Sequence, residues 1–343
     1  MEKLTYKKPK GTIDIFNNEY DKLIYYKSKL EDLFKSNGGI ALQTPVFELE
    51  NILLNKYGEE AENKLIYKIE NYGSKSCEKY ALRYDLTIPL ERFLIENRVK
   101  KLRRYSIDKV YRKDKPSDGR FREFYQADFD IIGENNTNMI NEFILLKMAN
   151  SFLQFANLNE YKIYCNDTNN LKAILIDKLK INPNNFKKIC LTIDKLDKYK
   201  FEELEEELTE NGIEKTQLLN LKKMLNENEP ICQTTKINFN KLKTFCKNFD
   251  DKLIFSPSLA RGLEYYNGFI WEIKILHTNQ TIISGGRYDN LIPNTSMIGI
   301  SFGLTRILNL LEYTPNVWKE LYYITSIGKT INIDIKLKIM NFL

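Results

Sequence analysis

The chain has 343 residues, 43% of them hydrophobic and 29% charged, and a formal net charge of +6. That length buries a sizeable core and suits two domains. No apolar run approaches the ~20 residues of a membrane span, and the opening Met1-Glu-Lys-Leu-Thr-Tyr-Lys-Lys has neither a signal-peptide apolar stretch nor the acid-poor pattern of a transit peptide, so the expectation is a soluble cytoplasmic protein whose charge permits a nucleic-acid partner without requiring one.

Taken in chain order, the first element is a helix over about 18–37. Tyr20, Leu23, Ile24, Leu30 and Leu33 recur near helical spacing, Asp14 to Asn18 supply candidate caps, and Gly38-Gly39 ends the pattern. Ala81-Leu-Arg-Tyr-Asp-Leu-Thr-Ile-Pro-Leu follows, read as a strand whose two-residue period puts Arg83, Asp85 and Thr87 on one face. A carboxylate beside a hydroxyl there can hold an ammonium, although an exposed sheet face has the same pattern. The run Lys100-Lys-Leu-Arg-Arg offers cations for nucleic-acid phosphates.

Val110-Tyr-Arg-Lys-Asp and Arg120-Phe-Arg-Glu-Phe-Tyr-Gln-Ala-Asp-Phe-Asp-Ile-Ile-Gly predict two strands joined by a short loop through Pro116 and Gly119. Arg112, Arg120 and Arg122 converge on that loop, where guanidiniums can bind phosphate oxygens bidentately. Gln126 and Asp130 share a face of the second strand, suited to orienting a small polar substrate. Cross-strand ion pairs on a solvated hairpin are the competing reading.

Residues 168–250 change character: charged, helical in period and poor in strand signals. Helices are predicted from Thr168, Lys200 and Gln217, with breaks at Pro183 and Gly212. Strand patterns resume near 251. In Ser258-Leu-Ala-Arg-Gly-Leu-Glu-Tyr-Tyr-Asn-Gly-Phe-Ile-Trp-Glu-Ile, Arg261 and the pair Tyr265-Tyr266 place a cation and two phenols close together; an aromatic core strand with a solvated arginine is the bland alternative. Finally Gly299-Ile-Ser-Phe-Gly-Leu-Thr-Arg-Ile-Leu is a glycine-rich strand running into a helix that carries Arg306, where a nucleotide can approach the backbone. Sheet, helical insertion and returning sheet suggest α+β.

Some chemistry is excluded. The five cysteines are odd in number and lack any Cys-x-x-Cys pair, which fits reduced thiols rather than a disulfide framework or zinc. His277, the only histidine, lies in a Leu-His-Thr-Asn-Gln turn, so neither a Ser-His-Asp triad nor a histidine metal site is expected. No metal-ligating set is assigned. There is no dinucleotide-binding Gly-x-Gly-x-x-Gly, and Gly328-Lys329-Thr330 lacks the first glycine of a P-loop because Tyr323 occupies that position.

From Pro9 to Leu311 the residues resemble the catalytic region of the histidyl-tRNA synthetase family, a class II aminoacyl-tRNA synthetase. Lys10-Gly-Thr-Ile-Asp looks like the family's opening, Thr44-Pro-Val-Phe-Glu-Leu like the end of class II motif 1, Val110 to Gly133 like motif 2 and Gly299 to Ile307 like motif 3. Leu259-Ala-Arg-Gly-Leu-Glu-Tyr-Tyr and Ser284-Gly-Gly-Arg-Tyr-Asp are similar to the two histidine-specific elements. Leu82-Arg-Tyr-Asp-Leu-Thr-Ile-Pro and Glu123-Phe-Tyr-Gln-Ala-Asp-Phe-Asp resemble the eukaryotic and archaeal-like branch.

The resemblance implies a class II antiparallel sheet with flanking helices and a helical insertion. It implies ATP and Mg²⁺ as cofactors, histidine and tRNA(His) as partners, and a homodimer built on the Gly38 to Leu49 segment. Arg112, Arg261 and Arg306 are then the catalytic cations. ATP is met by Arg112, Arg120, Glu123 and Arg306. Histidine is met by Asp85, Leu86, Thr87, Gln126, Asp130, Tyr265, Tyr266, Gly285 and Gly286. Among these, Asp85, Thr87 and Gln126 bind the ammonium, while Asp130 with the tyrosine pair holds the imidazole.

Departures are Glu264 in place of the family's aspartate and a short loop at Lys115-Pro-Ser-Asp-Gly. The expected division is 1–166 and 251–314 for the catalytic domain, 167–250 for the insertion and 315–343 for a remnant of the anticodon-binding domain, with tRNA charging impaired by what that domain lacks. Two other classes share the fold: a regulatory paralogue such as the synthetase-like subunit of ATP phosphoribosyltransferase, and a pseudo-synthetase binding module. Retention of Arg112, Arg261 and Arg306 together argues against both.

Overall fold

A computed structural model describes residues 6–54, 66–70, 78–116, 119–134, 138–260, 265–289 and 291–311. Arg261, Glu264 and 315–343 lie outside the described residues. The chain opens with α1 (Asn18–Ser36), whose inner face is Leu23, Tyr26, Leu30 and Phe34. Of the expected caps, Asn17 stands at the N-cap but bonds through its backbone carbonyl, not its side chain. Gly38 ends the helix at φ +80°, a left-handed conformation that a side chain resists.

The short strands β1 (Ile40–Ala41), β2 (Phe47–Leu49), β3 (Lys68–Ile69) and β4 (Tyr80–Leu82) follow, then α2 (Thr87–Glu96). The long hairpin β5 (Leu102–Tyr111) and β6 (Glu123–Ile132) leads to α3 (Ile140–Phe155) and β7 (Tyr161–Asp167). A helical stretch intervenes: α4 (Thr168–Lys172) running into a π-helical turn over 173–178, α5 (Phe186–Asp194), α6 (Phe201–Glu210), α7 (Lys215–Leu225) and α8 (Gln233–Phe245). The chain then adds β8 (Leu253–Phe255), β9 (Phe269–Ile275), β10 (Thr281–Arg287), β11 (Met297–Phe302) and α9 (Leu304–Leu310).

Eight strands form one sheet in the order β1-β5-β6-β11-β10-β9-β7-β8, while β2, β4 and β3 make a small second sheet. The six central strands are antiparallel as expected, but both edges are parallel: β1 on β5 and β8 on β7. The sheet is therefore mixed. The chain between β1 and β5 passes through β2, β3, β4 and α2, and that between β7 and β8 through the helical stretch, the crossovers that parallel pairing requires.

Period-two alternation separates the sheet's faces. Ala127, Phe129 and Ile131 of β6 turn toward α1, where the Phe34 and Phe129 rings lie 5.5 Å apart, and join the main core. Gln126, Asp128 and Asp130 occupy the opposite face. A second core of Leu171, Ile174, Ile189, Leu204, Leu208 and Leu221 belongs to the helical stretch, whereas Phe239 and Leu242 of α8 pack into the main core. His277 is exposed in the β9–β10 turn, and Cys165, Cys190 and Cys246 are buried free thiols.

One predicted element is corrected. The strand read through Thr87 stops at Leu82, and the chain turns so that Asp85 Oδ1 accepts the Thr87 and Ile88 backbone N–H groups at 3.1 and 3.0 Å. The carboxylate caps α2, meeting donors that have no partner within the helix. Arg83 does not share a face with it. Its guanidinium is fully buried, bonded to the Thr44 and Lys109 carbonyls at 3.0 and 2.8 Å and to Asp108 Oδ2 at 2.8 Å, and it ties β4 to β5.

Candidate active site

The polar face of the sheet carries two adjoining features. The first is an open cavity of about 440 Å³, whose walls include Arg112, Arg120, Gln126, Ser301, Thr305 and Arg306. Arg112 follows β5 and is fixed by stacking: its guanidinium carbon lies 4.2 Å from the Tyr84 ring centre and 5.2 Å from that of Phe124, with Nε donating to the Tyr84 carbonyl at 3.2 Å. An arginine sandwiched between rings keeps its charge and loses its conformational freedom. Arg306, in the first turn of α9, is aimed by the Thr281 carbonyl, which accepts from Nη1, and by the Gly119 carbonyl at 3.4 Å from Nε.

Arg122 is not on the wall. It bonds the Asp114 carbonyl at 3.2 Å and the Lys10 carbonyl at 3.4 Å, securing the loop to the N-terminal segment. Glu123 pairs with Lys109 Nζ at 2.8 Å across the hairpin. Lys198, Lys274 and Asp197 also reach the cavity, Lys274 pairing with Asp197 at 2.9 Å; the helical stretch thus contributes to the wall, which nothing in the local sequence signals.

The second feature is a buried cluster further along the same face. The ladder sets Arg104 opposite Asp130, Asp130 opposite Gly299 and Gly299 opposite Gly286. Arg104 Nε lies 2.9 Å from Asp130 Oδ2, and Nη2 donates to the Leu86 carbonyl at 2.7 Å. The Tyr288 hydroxyl donates to Asp130 Oδ1. Burial pushes the Asp130 carboxyl up, and Arg104 and the Tyr288 hydroxyl pull it back.

The Tyr265 and Tyr266 rings are 4.7 Å apart and each lies 5.9 Å from Tyr288. Burial raises all three phenols above their ordinary range, so they stay protonated and can donate. Gly285 and Gly286 leave room for neighbours: a Cβ on Gly286 meets Tyr266 Cδ1 at 3.0 Å, and one on Gly285 meets the Trp271 ring at 2.5 Å.

Asp85, Leu86, Gln126, Asp130, Tyr265, Tyr266 and Gly286 are thus gathered on or beside one face, with Thr87 at the start of α2, while Arg112, Arg120 and Arg306 line the adjoining cavity and Gly285, between Ile300 and Trp271, turns to the main core. Three residues were missed. Arg104 was read as part of a solvent-facing basic run, yet it is 1% exposed, and its neighbour Arg103 pairs with Glu134 at 2.8 Å. Tyr288 was quoted without a role. Asp128 lies between Gln126 and Asp130 on the same strand face, and the two-residue period already placed it there.

This sheet order, with arginines held over one face, defines a class II aminoacyl-tRNA synthetase catalytic fold. Solved structures of that fold include histidyl-tRNA synthetase from Nostoc sp. PCC 7120, with TM-score 0.71 and 23% identity over 90% of this chain and 76% of that one. Another is an ATP phosphoribosyltransferase regulatory subunit/histidyl-tRNA synthetase from Bacillus halodurans C, with TM-score 0.74 and 16% identity over 91% and 85%. The sequence pattern of the family described as Histidyl-tRNA synthetase matches residues 11–307, and the chain belongs to that family.

A probable cytoplasmic histidine–tRNA ligase of Vairimorpha ceranae (strain BRL01) is 38% identical over 99% of this chain and 84% of its own length. One from Encephalitozoon cuniculi (strain GB-M1) is 33% identical over 98% and 82%. The cytoplasmic histidine–tRNA ligase of Oryza sativa subsp. japonica is 36% identical over 89% of this chain but only 41% of its own length.

Proposed function

We propose that the chain is a histidine–tRNA ligase that condenses histidine with ATP to histidyl-adenylate and passes the histidyl group to tRNA(His). The observation that carries this is the adjacency of an arginine-walled cavity to a buried carboxylate–tyrosine cluster on one sheet face.

In the proposed reaction a carboxylate oxygen of histidine attacks the α-phosphorus of ATP, the bond to the bridging oxygen breaks and pyrophosphate leaves. No covalent enzyme intermediate is needed, so positioning and charge stabilisation dominate. Arg112 clamps the α-phosphate and the attacking carboxylate, Arg306 and Arg120 meet the other phosphates, and Arg261, by family pattern, stabilises charge at the α-phosphorus. Asp130 accepts one imidazole N–H through lone pairs that Arg104 and Tyr288 leave available, and a phenol of the Tyr265-Tyr266 pair meets the other nitrogen. An isostere without those nitrogens leaves buried groups unpaired, an arrangement that discriminates strongly.

Among the described residues no group of three His, Cys, Asp or Glu side chains is placed to hold a metal. Mg²⁺ would enter largely on ATP phosphates and water, with Asp114 a carboxylate on the cavity wall. The metal would supply charge neutralisation of the phosphates.

A homodimer is supported by exposed apolar residues in the motif 1 segment, with Ile40 62% and Phe47 50% exposed. Cytoplasmic location is supported by the relatives' names and by the lack, among the described residues, of a helix long and apolar enough to cross a membrane. The test of function is ATP–pyrophosphate exchange with a panel of amino acids. Exchange dependent on histidine alone is expected; a folded protein that supports none with histidine sinks the reading.

A further inference from the structure

Toward the β7 edge of the sheet, two buried asparagines are bonded in series. Asn166 on β7 and Asn170 in α4 are both fully buried. Asn166 Nδ2 donates to the Pro257 and Leu259 carbonyls at 3.0 and 2.8 Å. Asn170 Oδ1 accepts the backbone N–H groups of Ile231 and Cys232, at the start of α8, at 2.9 and 3.1 Å, and its Nδ2 lies 3.5 Å from Asn166 Oδ1. Those partners fix both amides. Asn170 must show its oxygen to two donors, so its nitrogen faces Asn166, whose oxygen turns toward it and whose nitrogen turns to the carbonyls.

The segment so held is the one that leads to Arg261. The Ser256 N–H donates to the Cys165 carbonyl at 2.8 Å, and the Leu259 N–H to the Ser256 carbonyl at 3.0 Å. Ala260, 3% exposed, packs in the core of the helical stretch, and Arg261 is the next residue. On the far side the Thr168 N–H donates to the Gly268 carbonyl at 3.0 Å, so the chain is fastened before and after Arg261 to the same β7–α4 junction. Buried carbonyls require donors, and Asn166 supplies two of them at once.

Asn166 does not reach the substrate itself. The ladder runs Asp130, Gly299, Gly286, Ile270, Asn166, four strand spacings or about 19 Å in all, too far for its amide to meet the inner cluster. We infer that Asn166 is a positioning residue for Arg261: by holding the carbonyls just before it, the amide sets the position from which the guanidinium acts. This rests on the histidine-activating reading, in which Arg261 stabilises charge at the α-phosphorus. The helical stretch is part of the device, because Asn170 ties Asn166 to α8.

A double-mutant cycle in ATP–pyrophosphate exchange tests this, with rates per active site measured well below the melting temperature of each variant. Asn166→Asp keeps the shape of the side chain and turns an acceptor on the two carbonyls. It is expected to lower kcat by ~10-fold or more while KM for histidine and for ATP stays within about twofold. With Arg261→Ala already present, the same change should alter kcat by less than about twofold. A purely structural role predicts equal losses in both backgrounds, and that result overturns the assignment. So does an unchanged kcat, a loss carried by KM, or an Arg261→Ala chain as active as the wild type. A wild-type chain with no histidine-dependent exchange overturns the functional reading and the assignment with it.

Should that variant not fold, Asn170→Asp takes its place. It keeps the acceptor for the Ile231 and Cys232 N–H groups, at a helix start where negative charge is favoured. Having no N–H to offer, it draws the Asn166 amide round and turns that oxygen on the carbonyls. The same loss of kcat is expected, again absent with Arg261→Ala, and full activity overturns the proposal.

Discussion

The two halves of the site hold their charges in opposite ways. In the cavity, Arg112 and Arg306 are anchored by ring faces and backbone carbonyls on the cavity wall. In the inner cluster Arg104 and Asp130 pair with each other and bond Leu86 and Tyr288, almost wholly out of water. The first arrangement suits a charge that arrives and leaves, such as a polyphosphate; the second suits a fixed template that a small substrate must match. Removing a group from the first should cost rate, and from the second, stability as well.

The largest break of that contrast is Asp130→Ala. It removes the direct ion-pair partner of the buried Arg104 guanidinium and leaves only the neighbouring Asp128 carboxyl to balance it, so thermal unfolding should drop along with histidine affinity, by up to ~3–5 kcal/mol of stability. An unchanged Tm would mean that the pair is not structural. Arg112→Ala should instead lower kcat for pyrophosphate exchange by ~10²–10³-fold, as loss of a charge-stabilising donor does, with Tm nearly unaltered. Arg112→Lys should recover little, because an ammonium cannot stack between the Tyr84 and Phe124 rings in the same way.

Gly299→Ala sharpens the comparison at its boundary. A Cβ there meets the Tyr288 hydroxyl at 2.7 Å and collides with Asp130 Oδ1, so a loss of ~1–3 kcal/mol from overpacking is expected, with a rise in KM for histidine exceeding that for ATP. Equal rises would deny that the inner cluster serves histidine.

The smallest effect is a pH dependence. The Asp128 carboxyl is raised by burial to about 7 in the folded chain from 3.8. The folded state therefore binds more protons between those values, and this contribution is full below the lower one and lost as pH rises toward about 7. Chemical denaturation of the ligand-free protein should show Asp128→Asn flattening that decline; an identical slope in wild type and variant would contradict it.

Much of this was legible in the sequence, and the failures have physical causes. The β5–β6 hairpin, α1 and the helices from Thr168, Lys200 and Gln217 follow from periodicity, and the face shared by Gln126 and Asp130 follows from the strand period. Arg104 was misread because a local run of lysine and arginine carries no sign of which member a sheet will bury. Thr87 was misread because period two was continued through a carboxylate that caps a helix; Asp85 two residues before Thr87, with Pro89 in the first turn, was the available signal. The Lys274 and Asp197 wall of the cavity could not be read, since it joins segments that only the tertiary fold brings together.

The hydrogen bond from Gln126 to Ser301 joins residues 175 positions apart. On a ribosome adding about 5–20 residues per second, that separation is roughly 10–35 s of synthesis during which β6 waits without its β11 neighbour. The helices between β7 and β8, whose contacts are mostly local, can fold in that interval. The nascent chain therefore holds a long, half-paired strand carrying Asp128 and Asp130 until β11 emerges. The polar face that Gln126 and Asp130 begin is therefore completed only when Gly299 and Ser301 of β11 pair with β6.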